Sequence, residues 1–286
     1  MEGFMNLPRF FLPDLVAGTS QELSAEESHH LARVLRLKEG EVVEVFNGKG
    51  SHAQAHIESV HKSAVRLKTE TLTTQVRARK VQLNVATSLP KGDRQKWLVE
   101  KLTELGADLL IPLETERGVA QPTDNALERL ERVALEACKQ SRNDFLLQIA
   151  PPMTLAQLTN SAHACSSAVL LLAHPYPVMI QSSPRANTSD CREKNTVPKS
   201  APAVCGSRSL QQWVTEPLPT DVFVAIGPEG GFTDEEVELA VAKGWKPWML
   251  TSNILRVETA VMMAAILLMD FFPAECFPPA SEKSAL

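Results

Sequence analysis

The chain has 286 residues, 44% of them hydrophobic and 22% charged, with a formal net charge of −5. That length exceeds one small domain and suits two, each able to bury a core. The acidic balance excludes a protein that holds nucleic acid by overall positive charge, so any such contact must rest on a local basic face.

Five cysteines (Cys138, Cys165, Cys191, Cys205 and Cys276) are scattered, odd in number and free of any CxxC pair. They argue against a disulfide framework or a zinc site and fit a reducing compartment. The N-terminal MEGFMNLPRF lacks the apolar run of a secretory signal. The longest apolar stretch, Ala260–Phe272, contains Asp270 and is shorter than the roughly 20 residues that span a bilayer. The expectation is a cytoplasmic protein with no membrane partner and no metal.

Residues 1–78 carry short apolar runs at Phe10–Leu12, Val42–Phe46, Ala53–Ile57 and Val65–Leu67, with turn chemistry such as Asn47-Gly48-Lys49-Gly50 between them. This is the pattern of a small antiparallel β domain. One helix interrupts it: Ser24 and Glu27 make a capping box, and His30, Leu31, Val34 and Leu35 fall at helical spacing before Gly40.

From residue 79 the texture changes to strand–helix alternation. Val81–Ala86, Leu109–Leu113, Ala168–Ala173 and Val222–Ile226 read as buried strands. Helices are expected after Asp93, with Trp97, Leu98, Leu102 and Leu105 near one side, and from Asp124 to Ser141. The alternation implies an α/β domain over 79–275, a mostly parallel sheet with helices on both faces. Residues 181–208 are rich in Ser, Pro, Asn and charge. They read as a disordered insertion, or as an RNA-contacting tail through Arg185, Arg192, Lys194, Lys199 and Arg208. Residues 276–286 read as a flexible tail.

The most informative segment is DVFVAIGPEGGFTDEEVELAVAK at 221–243. An apolar strand runs into Gly227-Pro228-Glu229-Gly230-Gly231, and a helix then opens with a Thr233/Glu236 capping box. The paired glycines allow positive φ and close approach of a ligand to backbone, or serve only a tight turn. No Gly-Lys-Ser/Thr follows, so this is not a phosphate-gripping loop. Acidic residues at the helix start favour a cationic or neutral ligand.

A second segment, LTSNILRVETAVMMAAILLMDFF at 250–272, places Arg256 and Glu258 before a helix that is apolar on almost every side and so must be buried. A third, KGDRQKWLVEKLTELG at 91–106, clusters Lys91, Arg94 and Lys96 with Trp97. It reads equally as an RNA-facing surface or as solvated charge.

These segments, in this order, resemble the RsmE family of ribosomal RNA methyltransferases, of the SPOUT class. The motifs are PRFFL, HHLARVLRLKEGEVVEVFNGKG, KGDRQKWLVEKLTELGA, TERGV, EACKQSR, IGPEGGFTDEE and ILRVETA. The resemblance implies a PUA-like β-barrel over 1–78 and an α/β SPOUT domain tied in a trefoil knot. It further implies a homodimer that uses S-adenosyl-L-methionine to methylate N3 of a uridine in small-subunit (16S) ribosomal RNA. A non-catalytic RNA-binding assembly factor on the same scaffold, and a SPOUT enzyme acting on transfer RNA, are the alternatives.

Carried across residue by residue, the resemblance assigns the cofactor to three stretches. They hold Leu172 and His174; Ile226, Gly227, Glu229, Gly230 and Gly231; and Leu250, Asn253, Ile254, Leu255, Arg256 and Thr259. Arg256 is the expected electrostatic catalyst, with Glu258 orienting it or taking the imide proton. Arg142 and Arg117 are second candidates for the arginine. RNA is expected on Arg9, Arg33 and Arg36 of the first domain, with Lys91 and Arg94 near the site. Arg33 and Arg36 would share a helical face, being three residues apart.

Overall fold

In β5 (Val65–Thr69), Val65, Leu67 and Thr69 are buried while Arg66 and Lys68 are exposed, the period of two that lays one strand face on a core. The same logic builds the first sheet of a computed structural model that describes residues 7–61, 64–77, 79–118, 122–163, 167–174, 210–214 and 217–273. Its other strands are β1 (Arg9–Phe11), β2 (Ser20–Glu22), β3 (Val42–Phe46), β4 (Ser51–Val60) and β6 (Thr73–Thr74). They run in the order β1-β3-β4-β5-β2, with β6 on β4. The pairs are antiparallel except for β1, which joins β3 in parallel. The core gathers Phe10, Leu31, Val43, Val45, Ile57 and Leu67.

The helix within this domain departs from the expected form. It is α-helical only over α1 (Ala25–His29), with the Ser24 side chain accepting from the Glu27 N–H. It continues as a π-helix over His30–Leu35 and stops at Arg36, in the left-handed region at φ 56°. The end thus comes four residues before Gly40. Leu31 is buried, but Val34 and Leu35 are exposed, so the spacing that marks an α-helical stripe does not describe a widened turn.

The second sheet is wholly parallel. It comprises β7 (Gln82–Thr87), β8 (Leu109–Glu114), β9 (Gln148–Ile149), β10 (Met153–Thr154), β11 (Ala168–Ala173), β12 (Asp221–Ile226) and β13 (Lys246–Trp248). The order is β10-β8-β7-β12-β11-β13, with β9 also on β8. Helices α2 (Asp93–Glu104), α3 (Asp124–Ser141) and α6 (Val257–Phe271) cover one face through residues such as Leu98, Leu130 and Val261. Helices α4 (Leu155–His163) and α5 (Asp234–Ala242) cover the other through Leu158 and Val237. Strands sandwiched this way read as unbroken apolar runs, as they do here. Gly92, not Asp93, is the N-cap of α2, and Trp97 lies on the half-exposed side of that helix. The insertion expected at 181–208 and the tail at 276–286 lie outside the described residues.

The two sheets meet at a polar junction. The Arg9 side chain, 5% exposed, pairs with Asp144 and with Glu44 at 2.7 Å. It also donates to the Asn143 carbonyl at 2.9 Å and lies 4.2 Å from the centre of the Phe46 ring. His52 Nδ1 reaches the second Asp144 oxygen at 2.7 Å. Lys139 of α3 pairs with the buried Glu27. Arg9 is therefore not an RNA contact: its charge is spent on holding the domains together, and an arginine buried against two carboxylates offers nothing to a phosphate.

Candidate active site

The carboxyl ends of β11, β12 and β13 converge on one cavity of about 240 Å³, the position where open parallel sheets bind ligands. One wall is the loop after β12. Gly231, at φ +69°, turns the chain so that its N–H meets the Pro228 carbonyl at 2.8 Å. A Cβ on Gly227 would come within 3.2–3.3 Å of the Phe232 amide and the Gly231 carbonyl carbon, so the loop folds tightly on itself. It then enters α5 through the Thr233/Glu236 capping box, with both reciprocal bonds formed.

A second chain segment braces this loop from outside. Arg117 Nη1 donates to the carbonyls of Gly230 (2.9 Å) and Phe232 (3.4 Å). The Glu116 N–H donates to Glu236 at 3.2 Å. Arg117, an alternative candidate for the catalytic arginine in the sequence, is thus placed as a clamp on the glycine loop.

The opposite wall is the loop 250–255 with the first turn of α6. His174 N–H donates to the Trp248 carbonyl at 3.0 Å and fastens the end of β11 to β13. Of the expected cofactor contacts, His174, Ile226, Gly227, Glu229, Gly230 and Gly231 line the cavity, as do Leu250, Asn253, Ile254 and Leu255. Leu172, Arg256 and Thr259 do not line it. Leu172 lies one residue back in β11 and is buried in the α4–α5 core. Arg256 and Thr259 are exposed at the start of α6, while Val257 and Ala260 turn inward. Phe232 and Ala260 also line the cavity and were missed. Ala260 could have been found from its i,i+3 spacing to Val257.

Charge gathers at one side. Arg94 Nη1 lies 3.6 Å from Glu229 and 3.4 Å from Glu258, so one guanidinium joins the glycine loop to the first turn of α6. The Glu258 side chain is 14% exposed, and its Oε2 is buried without a hydrogen-bond partner. A buried unpaired carboxylate oxygen is costly to a folded chain and is well kept where a ligand supplies the donor. Arg256 is the N-cap of α6 with no capping bond from its side chain. Arg142 stands elsewhere: it ends α3 at φ 55° and contacts Glu44 at 3.4 Å and the Leu7 carbonyl at 3.3 Å. The domain junction claims it, so it does not join the cavity. Lys91, Arg33 and Arg36 are exposed. The Cys138 thiol, pushed up to about 11 by burial, offers no nucleophile. Among the described residues no cluster of His, Cys, Asp or Glu could hold a metal, and no helix is long and apolar enough to cross a membrane.

A family model for an RNA methyltransferase domain matches residues 77–269, and one for an RNA methyltransferase PUA domain matches 23–70. A ribosomal RNA small subunit methyltransferase E of Synechocystis sp. is 31% identical over 252 residues, 88% of this chain and 73% of the relative. The chain belongs to the RsmE family. A Bacillus subtilis protein of that name is 27% identical over 248 residues, 85% of this chain and 86% of its own length. Among solved structures, a putative methyltransferase from Legionella pneumophila with bound cofactor SAM is 27% identical, with a TM-score of 0.73. That match covers 92% of this chain and 97% of the other.

The RsmE assignment makes the second sheet a SPOUT-class methyltransferase domain behind a PUA-like domain. The trefoil knot expected from the resemblance is not traced, since residues 175–209 between β11 and β12 lie outside the described set. The cavity suits S-adenosylmethionine on its own chemistry. Apolar walls and bare glycine backbone fit an adenosine, and the Glu229 carboxylate complements a cation. Among the described residues that line the cavity, no lysine or arginine calls for a phosphate.

Proposed function

We propose that this chain transfers the methyl group of S-adenosylmethionine to N3 of a uridine in small-subunit ribosomal RNA. The observation that carries the reading is the cavity between the glycine loop and residues 250–255, flanked by Glu258 with its unpartnered buried oxygen. The choice of uridine N3 rests on the resemblance of the whole chain to RsmE enzymes.

Bound in the cavity, the cofactor supplies an electrophilic methyl on a sulfonium. The chain's own residues do the rest. Backbone groups of Gly227–Gly231 and Leu250–Leu255 hold the nucleoside, so the reacting centres meet in a fixed geometry, which lowers much of the barrier. The uridine imide is protonated at neutral pH, and Glu258 Oε2 accepts its N–H and then its proton. The negative charge left on the base faces Arg256 and the amino end of α6, both of which favour it. Arg94 keeps Glu258 aimed by holding its other oxygen.

RNA docks through Arg33, Arg36 and Lys91. Ile266 of α6 is apolar yet 53% exposed, a fitting seam for a second copy of the chain. An enzyme of this substrate works in the cytoplasm, where small subunits assemble. Calorimetric titration with S-adenosylmethionine tests the site. Wild type should bind, and a folded Gly230→Arg variant should not, because its side chain would displace the Arg117 clamp that a Cβ already meets at 3.3 Å.

A further inference from the structure

Three local penalties coincide within His30–Arg36. The backbone leaves the α-helix for a π-helix over His30–Leu35, a form concentrated at functional sites. Arg36 then occupies the left-handed region at φ 56°, which a residue with a Cβ adopts only at a cost. Between them, Val34 and Leu35 are 60% and 41% exposed, forgoing burial that their apolar surface would otherwise gain. The knuckle is nonetheless held firmly. Leu31 beneath it is fully buried, its carbonyl accepts the N–H groups of both Arg36 and Leu37, and His30 packs edge-on to Phe10 at 6.2 Å. Strain that a rigid support maintains in the open is a sign of a contact made with something else.

The flanking charges say what that is. Arg33 and Arg36 are exposed, and among the described residues neither side chain makes an ion pair or hydrogen bond. Arg9, Arg77, Arg79, Arg94 and Arg142 are all engaged with carboxylates. Two free cations on either side of two apolar side chains match a nucleotide chain, which presents anionic phosphates around an apolar base face. The expectation that both arginines share one helical face gives way here. The widened turn and the left-handed step break the α-helical period on which it rested, and along the chain the apolar pair lies between the two arginines.

We infer that Val34 and Leu35 form an apolar wedge that packs against an unstacked nucleobase of the RNA substrate while Arg33 and Arg36 hold the adjoining phosphates. The inference rests on the RNA-methylating reading and adds a base contact to it. Apolar contact to a base adds affinity that salt does not screen, whereas phosphate contacts weaken steeply with salt.

The test uses the full chain and a small-subunit ribosomal RNA transcript, with affinity measured across salt concentrations. Val34→Ser/Leu35→Ser should bind the transcript at least tenfold more weakly at every salt concentration, with an unchanged salt slope and unchanged S-adenosylmethionine affinity. Arg33→Gln/Arg36→Gln should flatten the slope of log affinity against log salt by about 1 to 1.5. Leu35→Ala alone should show part of the loss and guards against misfolding of the double variant. RNA affinity equal to wild type in the Val34/Leu35 variant overturns the wedge. So does a change in sedimentation at unchanged RNA affinity, which would make the knuckle a subunit contact. A wild type that methylates the transcript in either case leaves the proposed function standing, whereas a wild type that binds no RNA removes both.

Discussion

Arg117 and Gly230 shape each other: the guanidinium donates to the glycine carbonyl at 2.9 Å, and the arginine stem lies 3.3 Å from where a Cβ on that glycine would sit. A residue 113 positions away thus fixes the glycine loop without lining the cavity. Arg117→Ala removes a charged donor and frees the loop, and should raise the dissociation constant for S-adenosylmethionine about tenfold, the worth of one such bond. Arg117→Lys should recover part of it. Turnover at saturating cofactor should change far less, and calorimetry with steady-state kinetics separates the two.

Gly227 and Gly231 should respond differently to alanine. At Gly227 the methyl meets the backbone of Phe232 and Gly231 at 3.2–3.3 Å, so the loop itself must shift and cofactor affinity should fall more than tenfold. At Gly231 nothing lies within 4 Å, and only the φ of +69° penalises alanine, by about 1 kcal/mol of stability. Equal cofactor affinities in the two folded variants would contradict this loop geometry.

Much of this was legible in the sequence because it is local. Thr233 and Glu236 form their capping box, Ala168–Ala173 is a strand over the expected residues, and Asp124–Ser141 is a helix with the expected ends. Hydrophobic period and caps decide such features within a few residues. Two misreadings concern long-range pairing. Arg9 looked like a surface arginine because Asp144, 135 positions away, is invisible to any local pattern. Arg142 was drawn from the cavity to the domain junction for the same reason. The π-turn was hidden because an apolar spacing of three and four residues is the same for a helix that later widens.

Arg9→Ala should act on stability, not on RNA. It leaves Asp144, 2% exposed, without its buried cation, a loss of about 3–5 kcal/mol. The thermal midpoint should drop sharply, while the salt dependence of RNA binding measured below that midpoint should match wild type.

The buried Cys138 thiol gives a pH dependence of definite sign. Burial raises it from 9.0 to about 11 in the folded chain, so the unfolded chain loses this proton first as pH rises. Stability from this group is full below the unfolded value and declines from there up to about 11. Denaturation at pH 8 and 10.5 should show that decline, and Cys138→Ala should reduce it. In the native protein at pH 8, the Cys138 peptide should resist alkylation.

Methyl transfer itself tests both the acceptor and the role of Glu258. Purified protein is incubated with methyl-labelled S-adenosylmethionine and small-subunit ribosomal RNA or particles, beside a Glu258→Gln variant. Label is expected on N3 of a single uridine of the small-subunit RNA, with transfer by the variant at least a hundredfold slower at unchanged cofactor affinity. Cofactor binding with no label on that RNA, or label on transfer RNA in its place, would contradict the proposed function.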